Sequence, residues 1–231
     1  MTTTRVAKNQ SQRPWAGARR FWFAIPALLA LAAIGAVLGF QAIDSGPAAD
    51  DYEAGGKVKR LSGHKLELKD GREIEFAAVR LPYDHEPYAE KSREVLTRWI
   101  DDEGVRLRFD DYCKDDDQRI VAYVYANDTF INQRLVRDGL AFVKLRAGNR
   151  RFADELLEAQ ADAINERKGI WQGVSLTSEG RFIAEPQRGT FHRPDCPKLS
   201  RKTGSEVVLE GTTQAVEKGM SPCGKCNPLA N

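Results

Sequence analysis

Residues 117–143 read DQRIVAYVYANDTFINQRLVRDGLAFV. From Ile120 to Tyr125 β-branched and aromatic side chains dominate, which predicts a strand. Asn127-Asp128 then places two residues that tolerate positive φ side by side, the signal for a tight turn. A short amphipathic helix follows, and Gly139 stops it. A strand turned back by two residues onto a short helix is a local unit that the rest of the chain must cover.

Working outward, short alternating segments precede this unit at 57–61, 65–68 and 73–80, with Asp70-Gly71 as a hairpin signal between the second and third. Pro82 and Pro87 enclose a loop, after which Val95, Leu96 and Trp99 fall at helical spacing over 89–100. Residues 105–109 form another alternating strand with Arg106 and Arg108 outward. On the far side, Phe152, Leu156, Leu157, Ala159 and Ile164 share one face of a helix over 149–168, ended by Gly169 before Ile170-Trp171. Five short strands and interspersed helices predict an α+β, mainly β fold: an OB-type, five-stranded Greek-key barrel over 56–171.

The composition, 42% hydrophobic and 29% charged in 231 residues, suffices for one domain of roughly 110 residues and a smaller one. A net charge of +2 sets up no global field, so any nucleic-acid role must rest on local residues. Residues 21–43 hold no charge, and at ~1.5 Å per residue they are long enough to cross a ~30 Å hydrocarbon layer. The basic tail 1–20 (Arg5, Lys8, Arg13, Arg19, Arg20) precedes it and acidic residues follow. The positive-inside rule then puts the N-terminus in the cytoplasm and the rest outside a cytoplasmic membrane, held by one transmembrane helix. The alternative is a signal peptide cleaved near Gly46-Pro-Ala-Ala49, releasing a secreted chain. Residues 44–55, small and acidic, read as a linker.

A second linker, 172–188, leads to a module over 189–228. His192 and Cys196 stand four apart, and Cys223 and Cys226 three apart. At those spacings turns bring four nitrogen and sulfur ligands to one tetrahedral ion, and so predict a structural zinc that staples a module too small to hold itself. The alternative is a Cys223–Cys226 disulfide. Cys113 is left over.

The Gly-hairpin, Pro-loop, helix, RIVAYVY, INQRLVRDGLA and KGIW landmarks together resemble the staphylococcal nuclease (thermonuclease-like) family over 56–171. The resemblance implies an OB-type barrel and, in active members, calcium-dependent hydrolysis of DNA and RNA. It also locates the positions where that chemistry would sit. The family's Asp-Gly-Asp-Thr turn is matched by Ser62-Gly63-His64-Lys65, and its first arginine by Glu75. Its Asp-x-Pro-Glu segment is matched by Arg80-Leu81-Pro82-Tyr83. Of the five working groups, metal carboxylates, water-activating glutamate and two arginines, only Arg119 is retained.

His64, Glu75, Arg80 and Tyr83 thus offer no hard-oxygen cage for calcium, and Asp84, His85 and Glu86 are the nearest residues that could rebuild one. Single losses of this kind cost about 10²–10³ in rate. The expectation is a catalytically degenerate barrel used for binding or scaffolding; the alternative is an active metal-dependent nuclease with a rearranged site. A binding face would draw on Tyr83, Tyr88, Tyr123, Tyr125, Lys144, Arg146, Arg150 and Arg151, aromatic and basic groups of the type that hold single-stranded nucleic acid. Any protein partner is left unnamed by the sequence. The C-terminal module resembles the metal-binding domain of Ada-type alkyl-repair proteins through Phe191, Arg193, Pro194, Cys196, Ala215, Gly219, Pro222, Cys223 and Cys226. There, His192 replaces the methyl-accepting cysteine, which implies a structural site.

Overall fold

The alternating stretches fold as strands in a computed structural model that describes residues 54–100, 104–199 and 205–230. In chain order the first elements are β1 (Ala54–Gly56), β2 (Val58–Ser62), β3 (Lys65–Leu68), β4 (Glu73–Phe76), β5 (Val79–Arg80), α1 (Ala89–Trp99) and β6 (Val105–Arg108). The deciding stretch becomes β7 (Ile120–Ala126), β8 (Thr129–Phe130), α2 (Ile131–Arg137) and β9 (Phe142–Val143), followed by α3 (Ala153–Asn165) and a 3₁₀ turn, Gly169–Trp171. The C-terminal part holds β10 (Arg181–Glu185), β11 (Thr190–His192), β12 (Val207–Glu210), α4 (Gly211–Glu217) and β13 (Ser221–Pro222).

The main sheet runs β1-β6-β7-β4-β3-β2, with β8 on β7, and all neighbours are antiparallel except β4 and β7. This corrects the expected five-stranded barrel: the sheet has seven strands, two more than expected, and among the described residues its hydrogen bonds do not close on themselves. Its two edges, β1 and β2, are nevertheless consecutive in the chain, separated by Lys57 alone. The sheet must therefore curl until its edges meet, and a covalent link takes the place of the last ladder. The expected strand 73–80 is broken after Phe76. There Ala78 adopts φ 58, and β5 leaves the sheet to pair with β9.

Asn127 and Asp128 both take positive φ, 48 and 59, and join Ala126 to Thr129 in the two-residue hairpin that the sequence predicts. At the end of α2, Gly139 (φ 65) donates to Val136 O at 2.9 Å and Leu140 N donates to Leu135 O at 2.8 Å, the paired bonds of a Schellman cap. A Cβ on Gly139 would lie 2.3 Å from Lys168 O, and one on Gly169 2.1 Å from Gly139 O. The two glycines let the Gly169–Trp171 turn close against the end of α2. Asn132, fully buried, accepts from Val124 N at 2.9 Å and donates to Ala77 O at 2.8 Å, so it satisfies the backbone where the sheet breaks.

Arg181–Glu185 is a strand inside the stretch expected to be a linker, and it is central to a second sheet ordered β12-β10-β11-β13. The described residues all fall in one compact unit. Phe142, Ala163, Ile170 and Trp171 share an apolar cluster with Ala184, Phe191, Leu209, Ala215, Val216 and Leu229, so the C-terminal part has no core of its own. Gln160 on α3 bridges the same junction: its side chain accepts from Val143 N at 2.9 Å and donates to Val216 O at 3.1 Å.

Residues 1–53 lie outside the described residues, and with them the basic tail, the expected transmembrane helix at 21–43 and most of the first linker. Among the described residues no helix is long and apolar enough to cross a membrane.

Candidate functional site

Two polar centres meet where the second sheet lies on the first. The first is assembled by β3, β4, β5 and β7, which bring together all five positions read from the sequence. His64 stands in the β2–β3 turn, where Gly63 (φ 60) makes the tight reversal possible. Its ring meets the Tyr83 ring edge-on at 5.6 Å. Burial holds the His64 imidazole below its ordinary pKa against the attraction of Glu75, so it is neutral at neutral pH.

Glu75 lies between two cations, with Arg119 Nη2 and Lys144 Nζ each 3.9 Å from a carboxylate oxygen. Burial pushes Lys144 down to about 8 despite Glu75, and the nearby Arg146, Arg80 and Arg188 add to the shift. Arg119 is enclosed by acids. Its guanidinium reaches Asp115 Oδ2 at 2.5 Å and Asp117 Oδ2 at 2.8 Å, while its own amide donates to Asp115 Oδ1 at 2.9 Å. Burial raises the Asp115 pKa but the hydrogen bonds from Arg119 outweigh it, and the carboxyl sits below its ordinary range.

Arg80 is the most enclosed of the five, 5% exposed. It forms a two-pronged pair with Glu86, Nη1 to Oε2 at 2.5 Å and Nη2 to Oε1 at 3.2 Å. The guanidinium is sandwiched between the Tyr83 and Phe142 rings, 4.7 and 4.6 Å from their centroids. Its Nη2 also donates to Pro222 O at 3.1 Å, across to the second sheet. The three loop residues considered for rebuilding a metal cage are engaged elsewhere. Glu86 holds Arg80, Asp84 pairs with Arg93 at 2.6 Å, and His85 Nε2 contacts Gly224 O at 2.8 Å.

The second centre consists of the four residues picked out by spacing. The ligand atoms of His192, Cys196, Cys223 and Cys226 lie within 4.8 Å of one another, and this group could hold a metal ion. His192 Nδ1 is 3.4 Å from Cys196 Sγ, which is 3.9 Å from Cys223 Sγ. All four cysteines are free, so the Cys223–Cys226 disulfide alternative is not formed. The amides of Arg193 and Lys225 point at Cys226 and Cys223 sulfurs, each at 3.4 Å, the contacts that stabilise thiolates in a turn. Burial and the neighbouring sulfurs push the Cys226 thiol up to about 12, a crowding that a cation at the centre would reverse.

Glu185 escaped the sequence reading. It stands two pairs along from His192 on the facing strand, opposite Thr190 and on the same face of the sheet, and its Oε2 lies 2.8 Å from His192 Nε2. The carboxylate lies at ion-pair distance from Nε2, on the side of the ring away from Nδ1, which faces the Cys196 sulfur. It lies in the stretch read from the sequence as a linker, and its place beside His192 becomes legible only once the β10–β11 register is known.

The two centres touch. A Cβ on Gly224, inside the Cys223–Cys226 turn, would lie 2.4 Å from Tyr83 Cδ2, so only glycine lets the turn rest on that ring. Tyr123 and Tyr125, expected on a binding face, are instead core residues 0% and 3% exposed. Tyr123 gives its hydroxyl to Asp110 at 3.1 Å and Tyr125 stacks on Phe130. Tyr88 is tied to Gln172 at 2.7 Å, Arg146 lies over Tyr112, and Arg150 and Arg151 are exposed. Cys113 is exposed and apart from the cluster.

Residues 70–173 match the family described as Staphylococcal nuclease homologue. Among curated proteins, the thermonuclease of Staphylococcus hyicus is 30% identical over 86 residues, 37% of this chain and 51% of the relative. The thermonuclease of Staphylococcus intermedius is 29% identical over 87 residues, 38% of this chain and 52% of the relative. The chain spans about half the length of the curated relatives it matches. The β4–β5 break, the Arg80 loop, β7, α2 and the Gly169–Trp171 turn all fall inside the matched residues, and the segment 70–173 is therefore a staphylococcal nuclease-type domain.

Proposed function

We propose that the chain is a catalytically degenerate thermonuclease-like protein, anchored by residues 21–43 in a cytoplasmic membrane, whose folded part outside it binds or scaffolds rather than cuts. The observation that carries this reading is Arg80. At a position where the family keeps a metal-binding carboxylate, this chain buries a cation, neutralises it with Glu86 and uses it to hold Pro222 of the C-terminal sheet. A divalent cation placed there would face a guanidinium in a dry pocket, where like charges repel most strongly. Arg119, the retained group, supports the same reading because Asp115 and Asp117 already consume its charge. Calcium has no place in this account.

The second centre is read as a structural zinc site of the Ada type. A tetrahedral ion with Zn–S near 2.3 Å requires sulfur atoms about 3.8 Å apart, and Cys196 and Cys223 stand at 3.9 Å. Three thiolates, an oriented imidazole and amide donors to the sulfurs suit zinc far better than calcium or magnesium. His192, Cys196, Cys223 and Cys226 would hold it, and the bound ion would fix the turn that rests on Tyr83.

Digestion of plasmid and single-stranded DNA by the full chain with calcium, magnesium or manganese tests the degenerate reading. No cleavage is expected with any of them. Cleavage that Arg119→Ala abolishes would overturn it in favour of an active nuclease with a rearranged site.

A further inference from the structure

Between the two centres lies a cleft of about 580 Å³, lined by Tyr83 and His85 of the nuclease-type domain and, from the C-terminal part, by Glu185, Arg188, Lys198 and Lys225 among others. Three features of its wall are unspent. Among the described residues Lys198 and Lys225 form no ion pair, and the Arg188 guanidinium is paired only with Glu185, at 3.9 Å. Glu185 is 4% exposed, and its Oε1 finds no hydrogen-bond partner among the described residues. A buried carboxylate oxygen without a donor is destabilising and so invites one. The exposed His85 ring is stacked on Tyr83, centroids 6.0 Å apart and planes 7° from parallel, which leaves its outer face free to continue the stack.

We infer that this cleft binds a nucleoside phosphomonoester. The phosphate goes to Arg188, Lys198 and Lys225, for which a dianion with three acceptor oxygens is the natural partner. A ribose hydroxyl donates to Glu185 Oε1. The base lies on His85, since ring stacking tolerates any base. The volume fits a ligand of that size. Glu185 gives its other oxygen to His192, so the ligand and the cysteine cluster share one carboxylate. The inference goes beyond the binding role proposed above by naming what is bound, and it needs no bond to be made or broken.

Equilibrium dialysis of the full chain against adenosine 5′-monophosphate tests it. Saturable binding is expected, weakened at least tenfold in the Lys198→Gln/Lys225→Gln double variant and weakened by added salt. Both lysines are exposed, so the variant leaves the core untouched. Adenosine that binds as tightly as its phosphate, a double variant that binds like the parent, or no saturable binding would each overturn the inference. Inorganic phosphate equalling the nucleotide would overturn its nucleoside half. A 5′-phosphorylated oligonucleotide binding at least tenfold more tightly would assign the phosphate to a strand end, and equal binding to a free nucleotide; both support a phosphomonoester site. The probe contains no phosphodiester bond, so the result is independent of whether the chain can hydrolyse one.

Discussion

Replacing Arg80 by methionine tests whether this residue has become a structural tie. The Arg80 and Glu86 side chains are 4% and 7% exposed, so removing the cation leaves a carboxylate in a dry pocket. Breaking a buried pair from one side costs about 3–5 kcal/mol, because the orphaned charge has no water to turn to. Tyr83 N still donates to Glu86 Oε2 at 2.7 Å, which softens the loss. Pro222 O loses its guanidinium donor, about 1–3 kcal/mol if nothing replaces it. Methionine keeps much of the packing between Tyr83 and Phe142, so no large cavity term enters. The expected loss is about 3–5 kcal/mol, and at roughly 2–4 °C per kcal/mol for a domain of this size it lowers the melting temperature by about 6–20 °C. Far-UV circular dichroism on heating reads it, and, with zinc bound at the cysteine cluster as proposed, a chromophoric chelator reads its earlier release as the Cys223–Cys226 turn loses its support. The Arg80→Met/Glu86→Met double variant should recover most of the loss, since no charge is then stranded. A single variant that melts within 2 °C of the parent, with unchanged metal release, would refute the tie.

Lys144, with its pKa pushed down to about 8, binds a proton less readily when folded than unfolded, so stability should rise with pH between about 8 and 10.5, by up to ~3 kcal/mol. Denaturant midpoints measured across that range check the slope, which Lys144→Met should flatten. Gly139→Ala should destabilise by more than about 1 kcal/mol, because a Cβ there has φ 65 to tolerate and lies 2.3 Å from Lys168 O; chemical unfolding reads the change. Elemental analysis should find one zinc per chain, and its removal by a chelator should lower the melting temperature; less than half an equivalent with Cys223 and Cys226 oxidised would return the disulfide reading.

Much of the fold was legible because its signals are local. The Asn127-Asp128 turn, the Gly139 stop and the Gly169-Ile-Trp171 ending each encode their geometry in two or three residues. The His192, Cys196, Cys223 and Cys226 group was legible for the same reason, since two short turns fix each pair of ligands. The failures are non-local. The break at Ala77-Ala78 is held open by Asn132, 55 residues away, so nothing near it in the sequence announces it. Tyr123 and Tyr125 alternate on a strand as surface aromatics would, but both sides of β7 are covered, and burial took them both.

The most consequential non-local feature is the docking of the C-terminal sheet. Read along the chain, the reversed charges at Glu75 and Arg80 look like decay of a site that selection no longer maintained. In three dimensions they have partners. Glu75 lies against Arg119 and Lys144, and Arg80 is satisfied by Glu86 and Pro222, with Gly224 seated on Tyr83 beside it. A carboxylate at position 80 would meet Glu86 at the same place and repel it in a medium of low dielectric. Arg80→Asp is therefore expected to loosen the C-terminal turn that rests on Pro222 and Gly224 rather than to build a metal cage. On the proposed reading, the departure from the family's carboxylates and the attachment of the cysteine cluster go together, since Arg80 and Tyr83, at positions where the resemblance places working groups, are the residues that receive the second sheet.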